Sequence, residues 1–281
     1  MQEAAELTLQ EAAELLGVHY MTAYRYVRLG QLAATKQAGT WRVTPAAIAE
    51  LRRAAEDGEP ADRGGRRRAP WAERLESRLL AGDSRGSWGV VESALAAGLD
   101  PSEVYLEVLA PALAAIGDRW ARGEVDVALE HRASGLAMRL IGRLGPRFVR
   151  PGRTRGVVIV GAPAGERHGL PVAMLSDLVR RHGWEVSDLG ADVPDGSFVH
   201  AVTTTPDLVA IGVSITTPDS VPAARQACAA IRAAAPGLLL VVGGAGALEA
   251  TAAELGVDAV SHDGAGFAAL LDGVHGMAPS G

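Results

Sequence analysis

Glu166 and His168 stand two residues apart, directly behind the apolar run GVVIVG at 156–161. That run reads as a buried parallel strand, and a helical pattern begins at once behind the pair. A histidine at the carboxyl end of a first parallel strand lies in the crevice where open α/β sheets take their ligands. Its two ring nitrogens are distinct. A carboxylate that accepts the proton of one fixes the tautomer and leaves the other free to coordinate a metal. On these residues alone the pair reads either as a metal-ligating His168 oriented by Glu166 or, more often for a lone histidine behind a strand, as a polar loop residue.

Two more strand-like runs end on the same expected rim. Ser214-Ile215-Thr216 closes the run 208–214, and Gly243-Gly244 closes the run 238–242. A glycine pair there is either a tight turn or a place where missing side chains let a ligand approach the backbone. In this order, Glu-x-His, Ser-x-Thr and Gly-Gly resemble the cobalamin-binding domain, whose pattern is Asp/Glu-x-His-x-x-Gly, Ser-x-Leu and Gly-Gly. The resemblance covers residues 155–271. Two positions depart from it: Pro171 stands where the family has Gly, and Thr216 where it has Leu. Pro171 is expected to open the following helix, where its missing N–H costs nothing. The resemblance implies that His168 is the lower cobalt ligand, in the state where dimethylbenzimidazole has left the metal. It further implies that Ser214 and Thr216 hydrogen-bond that displaced tail and that Gly243 and Gly244 make room for it.

The elements that must position these residues alternate. Strands are predicted at 157–161, 185–189, 208–213, 238–242 and 258–260, with helices between them, as at 172–182 and 222–234. Five such strands imply a parallel sheet of flavodoxin-like order covered on both faces, over 151–275. No G-x-G-x-x-G follows the first strand, which argues against a nicotinamide enzyme.

Residues 71–150 read as helical, with helices at 71–81, 87–97, 101–120 and 127–144 and start signals at Asp100-Pro101 and Asp126. Four helices with short connections make a four-helix bundle. Trp120 ends the third, and Glu130-His131 open the fourth after nine intervening residues. On residue types alone the Glu-His pair, beside a large aromatic at a helix–helix junction, reads first as a satisfied core pair.

The N-terminal 55 residues carry a different pattern. Thr8-Leu9-Gln10-Glu11 is a capping box opening a short helix through Leu16. Gly17 breaks it, and a second helix at 19–29 makes a helix-turn-helix. Residues 33–43 read as a β-hairpin wing, and Thr44-Pro45 cap a third helix. The second helix carries Tyr20, Thr22, Tyr24, Arg25 and Arg28; the wing carries Lys36 and Arg42. Arg25 and Arg42 are the expected DNA contacts, with base and phosphate contacts not separable at this level, and the alternative is a small protein-interaction module with a solvated basic face. The segment resembles the winged helix-turn-helix of MerR and excisionase type, which implies operator DNA as a partner. Residues 56–70 (EDGEPADRGGRRRAP) have no apolar periodicity and read as a linker.

The spacing of Trp120, nine residues and Glu130-His131 is similar to that in the helical bundle of the CarH family, adenosylcobalamin-dependent light-responsive repressors. That family has the same order of winged helix-turn-helix, bundle and cobalamin domain. The resemblance implies adenosylcobalamin as cofactor, with Trp120 over the upper face of the corrin and Glu130 and His131 beside the adenosyl group. It also implies a tetramer that represses in the dark and falls apart when light breaks the cobalt–carbon bond. Some members carry a His directly after this Trp that captures cobalt after photolysis; here that residue is Ala121.

Charge distribution fits two functions. The chain of 281 residues has a net charge of −6. Residues 17–55 hold six Lys/Arg against one acidic residue, and residues 71–281 hold seventeen against twenty-four, so the basic footprint sits at one end. A single Cys228 excludes an internal disulfide. With no long apolar stretch and no basic-then-apolar start, a soluble cytoplasmic protein without a membrane partner is expected. The expected function is regulation rather than catalysis. The alternatives are a corrinoid protein carrying methyl groups for a methyltransferase, a light-independent cobalamin sensor, and a sensor that binds a bilin as well.

Overall fold

The computed structural model describes residues 7–16, 18, 23–24, 26–27, 32–37, 40–56, 69–261 and 263–275. The chain divides into two compact units, Met1–Trp71 and Ala72–Gly281. Among the described residues no helix is long and apolar enough to cross a membrane.

In the first unit, β1 (Leu7–Thr8) leads into α1 (Leu9–Leu16). The capping box forms as expected: the Thr8 N–H donates to Glu11 Oε2 at 2.8 Å and the Glu11 N–H to Thr8 Oγ1 at 3.2 Å. Residues 23–24 and 26–27 are helical. β2 (Ala34–Gln37) and β3 (Thr40–Val43) form the antiparallel wing, with Lys36 opposite Trp41 and Thr35 opposite Arg42. β1 adds a third strand on the other side of β3. Two residues are too short to show an alternating pattern, so this strand had no signature. The Ala47 N–H donates to Thr44 Oγ1 at 3.2 Å at the start of α2 (Pro45–Glu56).

The second unit opens with a helical bundle. α3 is Trp71–Leu80 and α4 is Ser84–Ala96. α4 starts three residues before the predicted 87, because the Asp83 carboxylate accepts the Gly86 N–H at 2.7 Å and caps it. α5 begins as Pro101–Glu103 behind an Asp100–Glu103 capping box, winds as a π-helix over Val104–Leu109, and resumes as Ala110–Ala121. Pro111 supplies the reason. It has no N–H for the Glu107 carbonyl and its ring would strike that carbonyl, and a wider turn relieves both. α6 is Val127–Leu144, capped by Asp126, which accepts the Leu129 N–H at 2.8 Å. Its buried residues Ala133, Leu136, Ala137, Leu140, Ile141 and Leu144 fall at three- and four-residue spacing, one apolar stripe against the bundle.

The remainder alternates β4 (Val157–Gly161), α7 (Gly169–Arg181), β5 (Glu185–Asp188), α8 (Asp195–Thr204), β6 (Leu208–Ser214), α9 (Val221–Ala234), β7 (Leu239–Gly243), α10 (Ala252–Leu255), β8 (Ala259–Ser261) and α11 (Gly264–His275). The five strands are parallel in the order β5-β4-β6-β7-β8, the flavodoxin-like order. Successive residues of β4 point to opposite faces. Val158 and Val160 pack with Val172 and Val179 of α7 and Phe267 and Leu271 of α11, while Ile159 packs with Phe198 and Val202 of α8 and Cys228 and Ile231 of α9. Parallel strands covered on both faces put all carboxyl ends at one rim, where the register sets Ser214 beside Gly243.

Candidate functional site

The loop between β4 and α7 carries Glu166 and His168 onto that rim. Glu166 is 2% exposed, whereas the His168 side chain is 54% exposed. Glu166 Oε1 lies 2.5 Å from His168 Nδ1 and accepts the His168 N–H at 3.1 Å. Its other oxygen, Oε2, accepts the Thr216 N–H at 2.8 Å and the Ser220 hydroxyl at 2.9 Å. Burial alone would raise the Glu166 carboxyl. Hydrogen bonds from the His168 ring, the two backbone N–H groups and Ser220 outweigh it and hold the group down at about 2. It is a fixed carboxylate. Its hydrogen bond raises the pKa of the His168 ring against the opposing pull of burial, and the charges of Glu166 and of Glu130 in the bundle add to that. With Nδ1 engaged, Nε2 has no partner among the described residues, which is the arrangement a metal-ligating imidazole requires.

The loop itself is clasped from the β5–α8 side. The Gly165 N–H donates to Asp192 Oδ1 at 2.7 Å, and the Asp192 N–H donates to the Glu166 carbonyl at 2.8 Å. Asp192 takes φ +56° to do so. Neither Asp192 nor Ser220 was in the sequence reading. A lone serine fifty-four residues from Glu166 in the chain carries no local signal.

The two family departures have structural explanations. Thr216 meets Glu166 through its backbone N–H, a contact any residue there except proline supplies. Pro171 is the third residue of α7 and not its first, which corrects the expectation. Its missing donor still costs nothing, because the first four N–H groups of a helix have no intrahelical partner.

Ser214 is 6% exposed at the end of β6. Beside it the glycines are required by the chain itself. A Cβ on Gly244, at φ +100°, would stand 2.3 Å from the Ile215 carbonyl oxygen, and one on Gly243 2.9 Å from the Ser261 carbonyl oxygen. Gly246, not singled out from the sequence, is as tight: its Cβ would lie 2.3 Å from the Thr217 oxygen. The loops after β6 and β7 therefore pass backbone to backbone at Gly244 and Gly246, while Gly243 lies against β8, so each glycine has a role in the chain's own packing whatever else it admits.

The bundle supplies a second wall. Met138 Cε of α6 is 4.0 Å from where a Cβ of Gly169 would stand, and Gly145, which follows the last residue of α6, faces Asp177, further along α7. The two helices thus run side by side in the same direction. His131 lies seven residues before Met138, about 10 Å along the helix toward its start. Its Nδ1 is 2.6 Å from Glu130 Oε2, and Glu130 Oε1 accepts the Ser134 hydroxyl at 2.6 Å. The His131 side chain is 76% exposed, which rules out a satisfied core pair. Trp120, Val127 and Met138 are exposed apolar residues of the same bundle. The described residues thus present an open imidazole on the sheet side and exposed apolar and Glu-His groups on the bundle.

On the first unit, Tyr20, Thr22, Arg25 and Arg28 lie outside the described residues. Tyr24, expected to face DNA, is 7% exposed and packs edge-on against Trp41, their rings 6.5 Å apart. It is a core residue, because its ring fills the space between the helix and the wing. Lys36 Nζ lies 5.9 Å from the Trp41 ring centre on the outer strand of the wing, and Arg42 sits on the central strand.

Comparison with known proteins agrees with this division. Residues 71–144 and 156–271 each match a B12 binding domain family, and residues 6–55 match a helix-turn-helix domain family. The HTH-type transcriptional repressors CarA and CarH of Myxococcus xanthus are 31% and 33% identical over 65% and 63% of this chain, covering 62% and 58% of their own lengths. Trimethylamine corrinoid protein 1 of Methanosarcina acetivorans is 27% identical over 46% of this chain and 61% of its own length. The chain thus spans about three fifths of the length of the curated relatives it matches. The structure of the monomethylamine corrinoid protein of Methanosarcina barkeri superposes with a TM-score of 0.62 at 19% identity, covering 71% of this chain and 96% of that one, and shares its fold. The chain is therefore similar to the HTH-type repressors CarA and CarH, and its matches set a helix-turn-helix domain ahead of two B12 binding domain segments.

Proposed function

We propose that the protein is a light-responsive transcriptional repressor that takes adenosylcobalamin as its chromophore. The observation that carries the reading is the Glu166–His168 pair, with Nδ1 held and Nε2 open at the rim, in a chain that also has a DNA-binding type of N-terminal unit. Adenosylcobalamin, when bound, supplies a cobalt–carbon bond that light can break.

The chain's own residues hold and read that group. His168 offers Nε2 to cobalt from below, and Glu166 fixes its tautomer and orientation. Ser214 and Thr216 face the displaced dimethylbenzimidazole tail, and Gly243 and Gly244 border its path. Trp120, Glu130 and His131 form the upper wall. Binding operator DNA as a dark oligomer, a tetramer by likeness to the family, falls to the first unit with Lys36 and Arg42. No residue is assigned a catalytic role.

The likeness to corrinoid proteins favours a second reading, a carrier of methyl groups. A carrier has no use for a helix-turn-helix unit, and that separates the two. The test is the absorption spectrum of the purified protein with adenosylcobalamin, before and after green light. A His-ligated dark spectrum that changes on illumination together with operator release supports the sensor. Retention of a methyl upper ligand without operator binding supports the carrier.

A further inference from the structure

The bundle meets the α/β part of its unit at a polar seam, and the seam lies away from the rim. Tyr105, in the π-helical part of α5, is fully buried and its ring stacks on Phe148 with centres 4.6 Å apart. Its hydroxyl donates to Asp177 Oδ2 of α7 at 2.7 Å and makes a longer contact of 3.3 Å to the Ile141 carbonyl. Asp177 is itself 5% exposed. One helical turn further along α7, Arg181 pairs with Asp100, the cap of α5, at 3.2 Å. Burial and the neighbouring Asp177 raise the Tyr105 hydroxyl, so it stays a donor.

Three features mark this seam as one that parts without harm. Asp177 retains Arg180 of its own helix at 2.9 Å, so no buried carboxylate is left unpaired. Tyr105 retains the Ile141 carbonyl of its own bundle, and Asp100 retains its capping bonds to the Ser102 and Glu103 N–H groups. Alongside runs a solvent groove of about 580 Å³ between α6 and α7, bordered by Met138, Ile141, Gly142 and Ala173, so apolar packing does not close this contact tightly. The lever arms also match. His131 lies ten residues before Ile141 and His168 nine before Asp177, about 14–15 Å along each helix. A change of about 10° at the seam is therefore a change of about 2.5 Å at the rim.

We propose that Tyr105 and Asp177, with Asp100–Arg181 beside them, are positioning residues that fix the height of the bundle above His168. They thereby set the rate at which a cobalamin-sized ligand enters and leaves. The kind of ligand rests on the proposed function; the seam does not.

The experiment uses the full chain with hydroxocobalamin as probe. Tyr105→Phe keeps the ring on Phe148 and removes only the hydroxyl. Losing a buried hydrogen bond to a charged acceptor should raise the undocked population about tenfold or more. Association and dissociation should both accelerate by about that factor, with Kd changing less than either rate. Arg181→Gln, at a part-exposed pair, should act in the same direction by about two- to threefold and carries little risk to folding. A merely structural contact would lower the unfolding midpoint and leave both rates alone. In parallel, spin labels at Val127→Cys and Asp219→Cys report the distance across the rim without any ligand; Cys228 is buried with its thiol pushed up to about 12, and stays unlabelled. Tyr105→Phe should broaden that distance distribution in the ligand-free protein. Unchanged rates in both variants, or an unchanged ligand-free distribution, overturns the proposal. If hydroxocobalamin binds no form of the protein, the cofactor reading falls, and the ligand-free distances still decide the seam.

Discussion

The Glu166 carboxylate is inside the protein, and the His168 ring that it holds is outside: 2% of Glu166 is exposed against 54% of the His168 side chain. Four donors converge on Glu166, from His168, Thr216 and Ser220. One element each from β4, β6 and α9's leading turn is thereby tied to a single carboxylate. The ring has a fixed orientation before any ligand arrives.

His168→Ala should therefore abolish His-ligated cobalamin, whereas Glu166→Gln should leave a ligand that is present but loosely aimed. The expected loss of affinity for the latter is about 10–100-fold. Gel filtration of each variant with adenosylcobalamin, followed by the spectrum of the protein peak, reads both. A His-ligated spectrum retained by His168→Ala would remove the ligand assignment.

The glycines on the rim give a prediction about stability. Gly244→Ala places a Cβ against the Ile215 carbonyl at φ +100°, and should destabilise the second unit by about 2 kcal/mol or more. Gly237→Ala, where a Cβ meets nothing within 4 Å, is the control and should stay within about 0.5 kcal/mol. Urea unfolding in the absence of cofactor measures both. Equal midpoints for the two variants would mean that the crossing of the loops after β6 and β7 has room for a Cβ at Gly244.

What the sequence made legible was local. The Glu-x-His pair, the apolar runs of the five strands and the Asp100, Asp126 and Thr8 caps each occupy a few consecutive residues, and each stands where expected. Contacts made by folding left no such trace. Ser220 reaches Glu166 across fifty-four residues and Tyr105 reaches Asp177 across seventy-two. A serine and a tyrosine among many carry no mark of their partner. Pro111 lies inside the helix predicted at 101–120, and that prediction did not include the π-helical stretch before it. Tyr24 had the residue type of a DNA contact and the helical phase of a core residue, and phase decided its place.

DNA binding should separate from cofactor binding. Removing residues 1–55 should leave cobalamin affinity unchanged and eliminate operator binding, since the chain divides near Trp71. In the intact protein Lys36→Ala, on the outer strand of the wing, should reduce the slope of log affinity against log salt by about one unit. Titrations of a labelled operator at four salt concentrations give that slope. Affinity insensitive to salt would argue against a phosphate-contacting wing.

Illumination is the most demanding test of the proposed function. An effector shifts a conformational equilibrium only through its differential affinity for the two states. Trp120 and the Glu130–His131 pair belong to the bundle and His168 to the loop after β4, so a ligand that touches both walls favours the closed arrangement. If Trp120, Glu130 and His131 hold the adenosyl group as proposed, its loss would remove their contacts, and the preference would go with them. No second histidine is needed for that step. A histidine after the Trp would hold the lit state by ligating cobalt, and Ala121 has no donor with which to do so. Gel filtration and operator binding are therefore expected to show a dark oligomer on DNA, its separation under green light, and recovery on adding fresh adenosylcobalamin. Ala121→His should make the lit state harder to reverse, and the fraction recovered in a fixed time measures this directly. The same oligomer and the same operator affinity in light and dark would remove photoreception from the reading, and a cobalamin sensor indifferent to light would take its place.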